Sequence, residues 1–170
     1  MDPSASSSGG NTANGPRLPG RSVTAWVLRF LTAAALAVDA VIHVRLAPGY
    51  QLAAPDGIGQ GNLFLMEAAA AAVAGLYVLI RGSRPAWLLA LLVAAGGLAA
   101  LLLYRYVDIP ALGPFPAMYE PVWFFDKTLT ALAETAATVL AAIALAVPRL
   151  TGHRGEARLR PAREAGRAKT

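Results

Sequence analysis

The residues of this sequence most able to do chemistry are ionisable side chains that lie inside long apolar segments or at their edges. Asp39 and His43 are four positions apart, so on a helix they share one face. Charged groups are costly in hydrocarbon, and such residues therefore face a bundle interior or a wet cavity, where they find partners. We predict a polar, ligand-binding pocket from this set. Its candidate residues are Asp39, His43, Arg45, Glu67, Arg105, Asp126, Lys127 and Glu134.

The sequence leaves four roles open for this pocket. Its acids could form structural ion pairs with the basic residues of the same set, or the pocket could bind a small molecule or a quinone head group. A metal site is the third alternative, because one histidine with carboxylates suits a hard or borderline metal, although the Glu-x-x-His pairs of di-iron bundles are absent. That site would comprise Asp39, His43, Glu67 and Glu134. A proton relay is the fourth, although no charged residue continues the path to the opposite side. The sequence identifies no catalytic residue and no cofactor.

The composition excludes several classes of protein. The chain has 170 residues, 56% of them hydrophobic and only 15% charged, whereas soluble domains carry about 25% charge. It contains no cysteine, which excludes disulfides, thiolate zinc sites, CxxC redox pairs and cysteine nucleophiles. The net charge of +5 does not indicate nucleic-acid binding, because the basic excess follows the last apolar segment.

Four apolar segments must position the ionisable residues. They cover residues 23–46, 62–80, 86–106 and 123–147. Each has about 20 residues, enough to cross a hydrocarbon layer as a helix, and a helix satisfies its own backbone hydrogen bonds in lipid. The predicted fold is all-α, a four-helix transmembrane bundle with structured outer loops at 47–61 and 107–121. The flanking residues 1–22 and 148–170 are predicted to be disordered.

Small residues at a spacing of four predict the faces through which these helices contact one another, because small side chains let helices approach closely in lipid. The predicted faces are Ala71 with Gly75, Gly96 with Ala100, and Ala133 with Ala137 and Ala141.

The basic residues predict the orientation. Twelve of the fifteen Lys and Arg residues lie before the first segment, near its start, between the second and third segments, or after the fourth. The positive-inside rule then places both termini in the cytoplasm of a multi-pass protein of the cell membrane. The basic C-terminal tail could also contact anionic lipid.

Three carboxylates lie at a similar depth in this arrangement. At about 1.5 Å per residue, Asp39, Glu67 and Glu134 fall well below the outer interface on three different helices, and they could converge in a bundle. Seven of the ten acids lie in the outer half or the outer loops. We therefore expect the pocket to open to the outside.

The segment between the third and fourth spans carries a family resemblance. It reads Tyr104-Arg105-Tyr106-Val107-Asp108-Ile109-Pro110, then Leu112-Gly113-Pro114, and Met118-Tyr119-Glu120-Pro121-Val122-Trp123. With these motifs and four spans, the chain resembles small membrane proteins of high-GC bacteria and is similar to the DoxX-like group over roughly residues 23–147. The resemblance implies a four-helix membrane bundle and a link to quinone or redox partners. The absence of cysteine argues against a thiol version of that role.

The sequence thus predicts a binding or accessory membrane protein with an outward-facing polar pocket. A quinone- or metal-using redox subunit and a small transporter are the alternatives, and whether the protein is an enzyme stays open. Besides the lipid bilayer, a protein partner or a second copy of the chain is a possible partner.

Overall fold

The computed structural model describes residues 23–147, which form four helices. They are α1 (Val23–Ala53), α2 (Gln60–Ile80), α3 (Arg84–Tyr106) and α4 (Phe125–Ala146). All four are long and apolar enough to cross a membrane, and no strand occurs between residues 23 and 147. The predicted all-α, membrane-spanning four-helix fold is confirmed. The predictions of disordered tails and of lipid contact by the C-terminal tail lie outside the described residues.

The first helix is longer than predicted. The sequence predicts its end at residue 46 and an outer loop from residue 47, and a proline inside a helix removes a backbone donor and clashes with the preceding turn. Instead α1 continues through Pro48 to Ala53. The extension lies against the start of α2, where Gln51 Oε1 accepts a hydrogen bond from the Asn62 N–H at 3.1 Å. A Cβ at Gly59 would overlap the Gln51 side chain, so glycine permits this approach. The other helix ends lie within two residues of prediction.

The helices form a closed ring of four. Each helix contacts its neighbour in the chain, and α4 returns to contact α1. Contact is most extensive between α1 and α2 and least extensive between α2 and α3. We call the end of the bundle that carries the short α2–α3 connection, residues 81–83, the turn end. The opposite end, with the connections 54–59 and 107–124, is the loop end.

The hydrophobic core lies mainly toward the turn end and consists largely of alanine. Trp87 is the largest fully buried side chain. The fully buried alanines of the core are Ala71, Ala74, Ala86, Ala90, Ala94, Ala137, Ala141 and Ala144. Such small side chains allow the close helix approach that dispersion forces require in lipid.

Two of the three predicted small-residue faces are buried and one is not. Ala71 and Gly75 are buried on α2, as is the predicted face of α4. Gly96 and Ala100 on α3 are exposed. The reason is that α3 has no buried residue beyond Ala94, so its second half stands away from the core.

Candidate functional site

The site begins with an acid and a histidine one turn apart on α1. Asp39 is completely buried, and the His43 side chain is 13% exposed. Nδ1 of His43 lies 3.0 Å from Asp39 Oδ1 and 3.1 Å from the Asp39 carbonyl oxygen. The i, i+4 spacing on one helix face produces this pairing, as the sequence predicted.

Glu134 on α4 approaches the same point. Its side chain is 1% exposed, and one ligand atom from each of Asp39, His43 and Glu134 lies within 4.8 Å of the other two. The contact between α1 and α4 therefore joins residues that are about a hundred positions apart in the sequence. We call these three residues the buried triad.

Gly97 on α3 makes room for the carboxyl groups. A Cβ at Gly97 would overlap Glu134 Oε1 and would lie 3.1 Å from Glu67 Oε1. Glu67, from α2, is therefore beside Glu134, and all four helices contribute to the site. Sequence reasoning did not select Gly97. The signal was present, because glycine inside a helix is about 1 kcal/mol less favourable than alanine and needs a packing or functional reason.

Apart from His43 beside Asp39, the carboxyl groups of the site have no basic partner among residues 23–147. Asp39 Oδ1 contacts only His43, and Asp39 Oδ2, Glu67 Oε1 and Glu134 Oε2 are buried without a hydrogen-bond partner. Among residues 23–147, the only ion pairs are His43 with Asp39 and Lys127 with Glu120. Within the described chain, these three acids thus form no ion pair with Arg45, Arg105 or Lys127. Buried carboxylates without partners are strongly unfavourable.

The predicted basic residues Lys127 and Arg105 contact groups other than these three acids. The Lys127 ammonium donates hydrogen bonds to the carbonyl oxygens of Glu120 at 2.8 Å and Val122 at 3.3 Å. Arg105 lies over the rings of Tyr106 and Trp123, 4.9 and 5.6 Å from their centroids. Two further predicted residues also lie outside the triad. Arg45 is exposed and Asp126 is half-buried, and neither lines the cavity described next.

A cavity of about 530 Å³ extends from the triad toward the loop end. Its walls are mainly apolar and aromatic. Polar side chains lie at its two ends, with His43 and Glu67 at the deep end and Glu120 and Lys127 at the loop end. Asp39 and Glu134 do not line it, so they lie behind its wall. The aromatic lining residues are Tyr50, Phe64, Tyr104, Phe115 and Phe124.

The connection between α3 and α4 covers the loop end of the cavity, and we call residues 107–124 the roof. The Ile58 N–H donates to the Pro114 carbonyl at 2.9 Å, and the Glu120 N–H donates to the Tyr104 carbonyl at 3.1 Å. The Tyr50 hydroxyl donates a hydrogen bond to the Glu120 carboxylate. The roof is therefore fixed to α1, α3 and the α1–α2 connection, which confirms the prediction of structured loops.

The side of the cavity between α2 and α3 is less well covered. Met66 on α2 lines the cavity and is 61% exposed. Ala100 on α3 also lines it and is exposed. This is the helix pair with the least contact. The cavity thus opens laterally, in the direction that faces lipid when the helices span a membrane.

Comparisons with protein-family models, with curated proteins and with solved structures found no match to this chain.

Proposed function

We propose that this integral membrane protein binds an amphipathic small molecule with a cationic head, such as a long-chain amine, in the cavity at its loop end. The observation that carries the proposal is a mainly apolar cavity of about 530 Å³ whose deep end is lined by Glu67, a carboxyl group with a buried oxygen that has no hydrogen-bond partner. Cavities of roughly 300–1,000 Å³ with apolar walls and a few polar groups are typical of small-molecule sites.

The deep end of the cavity favours a cation over a neutral head group. Glu67 and His43 line it, and the buried Glu67 Oε1 has no hydrogen-bond donor. An ammonium supplies donors and positive charge together, which makes charge-assisted hydrogen bonds to carboxylates. Aromatic side chains such as Phe64 also attract cations. A quinone needs donors for its carbonyl oxygens, whereas the acids here offer acceptors.

In this proposal, the ligand enters the cavity from the lipid bilayer. The roof is fixed by hydrogen bonds to three other parts of the bundle, while the gap between α2 and α3 is bordered by exposed side chains. An amphipathic amine partitions into a bilayer, so its apolar chain can pass between Met66 and Ala100 ahead of its head. A ligand that takes this route dissolves in the bilayer before it binds.

The orientation remains part of the proposal. In the sequence, most basic residues precede α1, lie near its start, lie beside the α2–α3 connection or follow α4. The positive-inside rule then places the turn end in the cytoplasm and the cavity in the outer half of the cell membrane. The DoxX-like relationship is likewise proposed, and most of its motif residues lie in the roof. Transport would require a path past Trp87 and Leu36, which are buried side chains, and binding without transport is therefore favoured.

Binding of decylammonium to the full chain in lipid nanodiscs tests the proposal. We expect saturable binding, measured by equilibrium dialysis in EDTA with empty nanodiscs as the blank, and a loss of about tenfold or more in Glu67→Gln, because charged hydrogen bonds contribute roughly 1.5–3 kcal/mol. Asp108→Asn is the control, since Asp108 is an exposed acid of the roof and its substitution should leave affinity unchanged.

Three results would contradict the proposal. Decylammonium could bind no better than to empty nanodiscs, it could bind Glu67→Gln as tightly as the wild type, or decylubiquinone could displace it with higher affinity. The last result would assign the cavity to a quinone.

A further inference from the structure

We infer that the buried triad, Asp39, His43 and Glu134, is a binding site for a divalent transition-metal cation. The triad lies behind the wall of the cavity, and only His43 belongs to both. This site goes beyond the proposed amine binding and does not depend on it.

The geometry of the triad fits a coordination sphere. Metal–ligand distances of about 2.0–2.2 Å place adjacent ligand atoms roughly 3 Å apart and opposite ones somewhat more than 4 Å apart. His43 Nδ1 and Asp39 Oδ1 are 3.0 Å apart, as adjacent ligands are, and all three ligand atoms lie within 4.8 Å of one another.

The unpartnered oxygens give independent support. Asp39 is 0% exposed and Glu134 is 1% exposed, yet Oδ2 of Asp39 and Oε2 of Glu134 have no partner, and Oδ1 of Asp39 contacts only His43. Within the described chain no Lys or Arg forms an ion pair with either acid. A divalent cation compensates both carboxylate charges at once, whereas the single imidazole of His43 cannot.

The donor set indicates the class of metal. One imidazole nitrogen with two carboxylate oxygens suits Mn²⁺, Fe²⁺ or Zn²⁺ better than Ca²⁺ or Mg²⁺, which prefer all-oxygen sites. Three protein ligands leave coordination positions open, as in sites where a metal holds water or a ligand. Gly97 keeps the side of Glu134 that faces α3 free of a side chain, and Glu67 remains beside the site to contact a ligand in the cavity.

Metal binding to the purified full chain tests the inference. After EDTA treatment and reconstitution into nanodiscs, we expect Mn²⁺, followed by its EPR signal, to bind at one site per chain. Asp39→Asn and Glu134→Gln should each weaken binding by at least about tenfold, the loss that metal sites show on perturbation of their coordination. Asp108→Asn is again the control. Zn²⁺ should compete with Mn²⁺, and Ca²⁺ should not.

The inference is overturned if the wild type binds no Mn²⁺ or Zn²⁺, or if both variants bind as tightly as the wild type. His43→Gln provides a third variant, and gel filtration verifies the folding of each. A rise in melting temperature with Mn²⁺ in the wild type but in none of the three variants would support the site independently. Because metal is measured without amine and amine is measured in EDTA, either proposal can fail alone.

Discussion

The two halves of this bundle are built from the same four helices but differ in how they are filled. Toward the turn end, Trp87 and a set of fully buried alanines fill the space between helices. Toward the loop end, α3 has no buried residue after Ala94, and a cavity and three acids occupy the space it leaves. Stability is thus concentrated in one half, and the groups that could act on a ligand lie in the other.

Each half accommodates a buried charge opposite a glycine, and the charges have opposite signs. A Cβ at Gly82 would overlap the Arg29 guanidinium at the turn end, and one at Gly97 would overlap the Glu134 carboxyl. Arg29 also lies 5.4 Å from the centroid of the Trp26 ring. A cation near the turn end fits the proposed cytoplasmic orientation, whereas unpaired acids deep in the loop half have no such structural explanation.

The largest loss of stability that we expect comes from removing Trp87, the largest buried side chain, which lies toward the turn end. Trp87→Ala should lower the free energy of unfolding by about 3–5 kcal/mol, because it deletes a fully buried ring and leaves a void. Phe115→Ala in the roof should cost less than about 1 kcal/mol, since that ring is 46% exposed and surface substitutions have small effects. Unfolding by SDS in mixed micelles measures both. Equal losses would show that the halves do not differ in packing.

Substitution of one glycine in each half should show the same difference in packing, with a smaller effect on the free energy of unfolding. A Cβ at Gly75 would lie 3.4 Å from Leu36 Cβ, whereas one at Gly96 would have no neighbour within 4 Å. Gly75→Leu should therefore destabilise by about 1–3 kcal/mol through overpacking. Gly96→Leu should be neutral or stabilising by up to about 1 kcal/mol, because leucine is the better helix former. The same unfolding measurement applies, and a loss at Gly96 would place α3 closer to the bundle than we describe.

The sequence predicted the spans well because length and hydropathy alone determine which segments cross lipid. The predicted end of α1 at residue 46 was wrong, because the end of the apolar segment does not reveal the contacts that Tyr50 and Gln51 make beyond Pro48. The sequence predicted the shared face of Asp39 and His43 from their spacing. From depth alone it named Glu67 and Glu134 as acids that could converge with them, but it could not determine which way each side chain faces, because helix rotation is determined by packing against neighbours. Glu134 turns inward, while Arg45 lies on the surface.

The smallest change that we expect in the free energy of unfolding tests whether Glu134 has a structural role. If Glu134 completed a structural ion pair, removing its charge would destabilise the protein by about 3–5 kcal/mol. It has no such partner within residues 23–147. We therefore expect Glu134→Gln in EDTA to leave the free energy of unfolding unchanged or to raise it by up to about 1 kcal/mol, because an unpaired buried carboxylate is itself unfavourable.

Glu120→Gln is the matched control for that substitution, because it makes the same chemical change at a carboxylate that does have partners. Glu120 accepts a hydrogen bond from Tyr50 and lies 3.6 Å from the Lys127 ammonium, so its loss should destabilise by about 1 kcal/mol. SDS unfolding in EDTA should show a loss of stability for Glu120→Gln and no loss for Glu134→Gln. A carboxylate whose removal stabilises the metal-free protein is retained for a purpose other than stability, as expected when function and stability conflict. A destabilised Glu134→Gln would instead make the triad part of the packing.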